Sequence, residues 1–193
     1  MKAIWIFLIV LIVLAIGCVG GYNSLVTQQE TVHQAWSQVE NVYQRRLDLI
    51  PNLVATVKGY ATHEHEVFVQ VTEARNQAAG TINNNATIDD PQKFKEFQQS
   101  QATLSGALGR LMVVVERYPD LKASQNFLTL QTQLEGTENR IAVERRRFNE
   151  AALVYDTHLR QFPGVLIARM FGFTPVAYFE AQPGADKAPE VKF

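Results

Sequence analysis

Three regimes of apolar patterning divide the chain. From Ala3 to Gly20 every side chain is apolar or small. From Tyr22 to about Gln161 apolar residues recur three and four positions apart, the period of an amphipathic helix. From Gln182 onward the pattern disappears in the run Pro-Gly-Ala-Asp-Lys-Ala-Pro.

Within the middle regime, Val32, Trp36, Val39, Tyr43, Leu47 and Ile50 form one stripe, interrupted by Pro51. The stripe resumes as Leu53, Val54, Val57, Tyr60, Ala61, Phe68, Val71 and Ala74, ending near Ala79. Residues 80–90, rich in Gly, Asn and Asp, read as a loop. Asp89 or Asp90 before Pro91 starts the next helix, which carries Phe94, Phe97, Leu104, Leu108, Leu111, Met112 and Val115 and stops at Tyr118-Pro119. A last long helix is expected from about Asp120 to Gln161, with Phe127, Leu130, Leu134, Ile141, Phe148, Ala152, Tyr155 and Leu159 on its face.

Pro51 poses a choice between a turn and a kink. The apolar phase continues across it, which suits a kink. A helix from 23 to 79 would be about 85 Å long, against about 40 Å for the helix from 91 to 117, leaving half its stripe uncovered. Length therefore favours a turn at Pro51 and an antiparallel four-helix bundle, with part of the last helix overhanging its neighbours. The expected fold class is all-α: an N-terminal transmembrane helix followed by that bundle.

The first regime is long enough to cross a membrane, since Ala3–Gly20 as a helix spans about 27 Å. Trp5, Phe7, Leu11 and Leu14 are its anchoring side chains. Lys2 precedes it and no Lys or Arg follows until Arg45, which places the N-terminus inside and the domain outside. Three forms of attachment stay open: an uncleaved single-pass anchor, which is preferred; a lipid-carrying Cys18, because Leu14-Ala15-Ile16-Gly17-Cys18 resembles a bacterial lipobox; and a cleaved secretion signal, disfavoured by the lack of an Ala-x-Ala site.

The organisation that follows is an anchor over 1–21, a helical domain over 22–162, an apolar segment over 163–181 and a disordered tail over 182–193. The apolar segment either caps one end of the bundle with Phe171, Phe173, Tyr178 and Phe179 or forms a partner-binding or membrane-touching patch.

Composition narrows function further. The 193 residues are 47% hydrophobic and 19% charged with a formal net charge of −1, which suits a real core. No basic stripe with interleaved aromatics appears, so nucleic acid is not an expected partner. Arg145-Arg146-Arg147 lies between Glu144 and Glu150 and reads as a salt-bridged, solvated helix face. With Cys18 the only cysteine, neither an intramolecular disulfide nor a thiolate metal site can form.

Candidate chemistry is sparse. His63-Glu64-His65-Glu66 lacks the four-residue histidine spacing that puts two zinc ligands on one helix face, so His63, His65 and Glu66 are weak metal candidates. Glu138 beside Arg140, and Glu144 beside Arg145, read as ion pairs rather than as acid–base machinery. Ser105-Gly106 lies in a helix without a nucleophile elbow, and Gly106 and Gly109 are expected to permit close helix–helix approach. No catalytic residue, cofactor or small-molecule substrate is expected.

Several stretches together resemble the LemA family of bacterial membrane proteins: Gly21-Tyr22-Asn23-Ser24-Leu25-Val26, Trp36-Ser37-Gln38-Val39, Tyr43 through Val54, Val57 through Ala61, Glu73-Ala74-Arg75, Tyr118 through Leu121, and Glu138 through Arg145 with Arg147-Phe148-Asn149. The resemblance implies a four-helix bundle behind an N-terminal membrane segment and supplies no catalytic residues. One branch is associated with magnetosome membranes, a role that nothing in this chain indicates. The resemblance singles out Arg45, Arg46, Asp48, Glu73, Arg75, Glu138 and Arg140, either as ion pairs fixing helix register or as a polar docking surface. The functional expectation is a single-pass scaffold or interaction protein of the inner membrane, in contact with the bilayer and with a protein partner or copies of itself. The alternatives are an envelope hydrolase or metal-dependent enzyme, and a lipid-binding or remodelling protein that inserts residues 165–179.

Overall fold

The computed structural model describes residues 2–83 and 88–180. Among the described residues six helices follow in order: α1 (Lys2–Lys58), α2 (His65–Asn83), α3 (Pro91–Val115), α4 (Pro119–Lys122), α5 (Gln125–Arg160) and α6 (Gly164–Phe171). No strand occurs among the described residues.

The expected turn at Pro51 is not there. α1 runs unbroken for 57 residues with Pro51 inside it, and the chain reverses instead at residues 59–64, just after Lys58-Gly59. A basic last turn followed by glycine is a helix-stop signal that the continuing apolar phase had masked. The length argument fails because α5 is itself 36 residues long and pairs with α1 along its course, so the last helix does not overhang. The stripe of α1 is covered by α5 throughout, by α2 and α3 lower down, and near the apolar span by α6 and the segment after it.

Other boundaries move less. Asp90 caps α3, its Oδ1 accepting from the backbone N–H groups of Gln92 (2.9 Å) and Lys93 (3.3 Å). α2 persists to Asn83, four residues into the expected loop; residues 84–87 lie outside the described residues, and Ile88 turns back into the core. The expected start at Asp120 becomes the short α4, a break at residues 123–124, and then α5. The expected disordered tail lies outside the described residues.

Register follows from side-chain contacts. Thr81 meets Ser100, Gln70 meets Arg110 and Glu64 meets Arg117, so α2 and the descending α3 are antiparallel. Trp36 meets Phe148 while Arg46 meets Glu138, which makes α1 and α5 antiparallel. The four long helices thus run alternately away from and back toward the apolar end of α1.

Two apolar clusters fill the interior. The one nearer the apolar end of α1 is aromatic: Trp36, Phe94, Phe97, Phe148 and Phe179 meet with ring centroids 4.9–6.5 Å apart, mostly edge-on or tilted as ring quadrupoles favour. The distal one is largely aliphatic, built on Leu47, Ile50, Leu53, Val57, Val71, Leu104, Leu108 and Leu111. Close approach of helices does not use Gly106 or Gly109, as had been expected; a Cβ at either would meet open space. It uses Gly21, where a Cβ would overlap the tip of Ile167 from α6.

Candidate functional site: a polar cleft over a buried arginine

Arg46 lies where the two clusters meet. The core stripe of α1 passes through Tyr43, Arg46, Leu47 and Ile50, so helical periodicity carries a guanidinium inside, where it is 2% exposed. Burying that charge is tolerable only with partners. Its Nη1 donates to Glu138 Oε1 at 3.0 Å and to Ser105 Oγ at 3.2 Å. Its Nη2 donates to the Gln101 carbonyl at 3.3 Å and to Gln101 Oε1. One residue on α1 thereby ties α3 to α5. The guanidinium also lies 5.3 Å from the Tyr43 ring centroid. Arg46 Nε and Gln101 Nε2, both buried, have no hydrogen-bond partner among the described residues.

Above this cluster opens a cleft of about 310 Å³, walled by Tyr43, Gln98, Gln101, Glu138, Arg145 and Phe179, with Lys95 and Glu180 at its edges. Three cationic side chains face two carboxylates, leaving it modestly positive. Burial pushes the Tyr43 phenol up, and the positive charges of Arg145 and Arg46 pull it back.

The wall containing Phe179 is held by α5. Asn149 clamps the Phe179 backbone from both sides, Nδ2 donating to its carbonyl and Oδ1 accepting from its N–H, each at 2.9 Å. Buried Asp156 accepts from the Val176 N–H (3.3 Å) and the Tyr178 hydroxyl (3.0 Å). Arg145 donates to the Glu180 carbonyl at 3.2 Å and stands 4.5 Å from the Phe179 ring centroid. The expected solvated arginine face therefore divides: Arg147 and Arg146 pair with Glu144 and Glu150, while Arg145 turns to the cleft.

Of the polar residues singled out by the resemblance, Arg46 and Glu138 come together, so the partner of Glu138 is Arg46 rather than the neighbouring Arg140. Glu144 likewise pairs with Arg147 and not Arg145. Arg75 is half-buried and donates from Nε to the Leu47 carbonyl. Arg45, Asp48, Glu73 and Arg140 are exposed, and no ion pair engages them among the described residues; Asp48 accepts from Gln44. His63, His65 and Glu66 are exposed at the far end, and no group of three His, Cys, Asp or Glu side chains converges among the described residues. Their neighbour Glu64 instead joins Arg117 at 3.0 Å, linking the two distal turns.

Sequence reasoning missed Gln101, Asn149 and Asp156. The signal was available for two of them. Gln101 stands in phase with Phe97, Leu104 and Leu108, and Asp156 with Ala152 and Leu159, so each is a polar residue on a core stripe. Asn149 gave no such signal, because its partner arrives from 30 positions away.

Trp5, Phe7, Leu11 and Leu14 are more than half exposed on the apolar part of α1, the one helix among the described residues long and apolar enough to cross a membrane. Cys18, at its end, packs partly against the aromatic cluster. The class defined is an all-helical domain grown directly out of an N-terminal apolar helix.

The sequence pattern of the LemA family matches residues 35–193, and the chain belongs to that family. Magnetosome protein MamQ of Magnetospirillum gryphiswaldense is 29% identical over 181 residues, covering 86% of this chain and 66% of MamQ. Two MamQ proteins of Paramagnetospirillum magneticum match to the same extent. Protein LemA of Metamycoplasma hominis is 26% identical over 180 residues, covering 91% of this chain and 78% of its own. The chain thus spans 66% of the length of its MamQ relatives.

Proposed function

We propose that this LemA-family chain is a non-enzymatic interaction protein of the bacterial inner membrane, and that the cleft over Arg46 grips its protein partner. The chain crosses the membrane once, N-terminus inside, and holds an antiparallel four-helix bundle on the outer side. The observation that carries this reading is the cleft itself, where Arg46, Lys95 and Arg145 outnumber the carboxylates of Glu138 and Glu180. A concave lining with a net positive charge favours an occupant with acceptor oxygens. A carboxylate on a partner surface meets that requirement, and Lys95 and Arg145 would complement it.

Anchoring lowers the affinity the contact needs, because partners confined to one membrane meet at raised effective concentration. Exposed His63 and His65 line no cleft with the polar cluster, which weighs against the hydrolase alternative.

A photoreactive residue placed at Gln99 or Ala102 in intact cells tests the reading, with adducts identified by mass spectrometry. Defined adducts at those two sites, absent at the likewise exposed Val113 and abolished by Lys95→Glu, are expected. Absence of adducts at both cleft sites, or the same adducts at Val113, would overturn it.

A further inference from the structure

We propose that α6 lies on the surface of the membrane that α1 enters, as an interfacial helix in contact with lipid. The proposal rests on the reading that the apolar part of α1 spans that membrane.

Position is the first ground. Ile167 of α6 occupies the space over Gly21, and the Tyr22 ring packs on Phe171 and Phe173 at centroid distances of 4.8 and 5.6 Å. Cys18 packs on the same cluster. α6 is thus fastened to residues 18–22, where the uncharged apolar stretch of α1 ends. A helix at that level stands where hydrocarbon gives way to headgroups.

The second ground is the face it exposes. Ile167 and Ala168 are buried against α1 and α5, whereas Phe162 is 80% exposed, Leu166 56%, Met170 68% and Phe171 53%. Leu166 and Met170 are four residues apart on α6 and share one exposed face, with Phe171 beside them and Phe162 exposed just before the helix. Exposed apolar residues on α2 and α3, such as Val69 and Val113, are single and ordinary. A contiguous apolar face continuous with a membrane span has a natural occupant in the bilayer.

Charge is the third. Between Asp156 and Glu180 there is no acidic residue, while Arg160 and Arg169 flank that face and are exposed. Aromatic and long apolar side chains with arginines and no carboxylates are the composition that settles among lipid headgroups, anionic ones above all. The turn into α6 is tight: a Cβ at Gly164 would collide with the His158 backbone carbonyl, so α6 is set at a fixed angle to α5. Two attachments, α1 and α6, would then fix the tilt of the domain and the direction in which the Arg46 cleft faces.

The test uses the full chain with Cys18→Ser, spin-labelled at a single new cysteine and reconstituted in phosphatidylcholine nanodiscs containing phosphatidylglycerol. Met170→Cys probes α6. Val113→Cys is the aqueous control, equally exposed at 68%. Ile12→Cys reports the span. The label at Met170 is expected to resemble Ile12, open to oxygen and closed to a water-soluble nickel chelate, with the reverse at Val113. With Ile12 in lipid and Met170 matching Val113, the span stands and the proposal is overturned. Shielding of Met170 from both quenchers, with dipolar broadening between labels, identifies a second copy on this face and overturns it as well. An aqueous Ile12 removes the span itself and the proposal with it.

Discussion

The Nε of Arg75 on α2 donates to the carbonyl of Leu47 on α1 at 3.1 Å. Leu47 lies four residues before Pro51, so its carbonyl is the one that the missing proline N–H would have satisfied. A side chain from the neighbouring helix supplies the donor, and α1 continues through the proline. Replacing Arg75 by Met should strand a buried carbonyl and cost about 1–3 kcal/mol. In a Pro51→Ala background the backbone N–H returns and that cost should largely vanish. Urea unfolding of the four proteins of this cycle measures the coupling; equal costs in both backgrounds would refute the compensation.

The Arg46 cluster should behave asymmetrically. Arg46→Met removes the buried charge together with its partners' donor, whereas Glu138→Gln keeps a hydrogen-bond acceptor beside the retained arginine. Because Glu138 is 44% exposed, solvent screens the pair, and Glu138→Gln should cost only about 1 kcal/mol. Arg46→Ala, which also empties the space between the clusters, should cost about 3 kcal/mol or more. Chemical denaturation distinguishes the two; similar costs would mean that the charge pair, not the packing around Arg46, dominates.

Asn149 holds the end of the chain over the aromatic cluster. Asn149→Leu loses both bonds to the Phe179 backbone and should cost about 2 kcal/mol. The loss should be local. Amide exchange of residues 176–179 should accelerate, while the distal residues Leu53 and Leu108 keep their protection. Uniform acceleration would show that this segment is not a separable unit.

Alkaline pH should loosen the same segment. Burial, helped by the hydrogen bond to Asp156, pushes the Tyr178 phenol from 10.0 up to about 12, and burial likewise takes Tyr155 to about 12. Above pH 10 the unfolded chain releases protons that the folded one retains, so the stabilisation present below pH 10 is lost as pH climbs toward 12. Tyr178→Phe should weaken that pH dependence while costing the bond to Asp156. Tyr155→Phe should be nearly neutral at pH 7, since its hydroxyl has no partner among the described residues. Thermal unfolding as a function of pH checks both.

The helical class, the apolar N-terminal helix, the Asp90 cap and most core positions were legible in the sequence. Each depends on periodicity or capping, which act within a few residues. Even the buried polar residues left a trace, because Arg46, Gln101 and Asp156 sit in phase with apolar neighbours. What periodicity could not convey was which partner each would find, and so Glu138 was matched with its sequence neighbour Arg140 rather than with Arg46.

Tertiary structure alone decided the fate of Pro51, because the donor that satisfies the Leu47 carbonyl comes from 28 positions further along. It decided that α5 would pair with α1 along its course, that residues 176–180 would close the aromatic cluster, and that the exposed face of α6 would stand beside the end of the apolar stretch of α1. All of these rest on contacts between segments far apart in the chain. Local pattern determines which face of a helix is apolar; only packing determines what covers it.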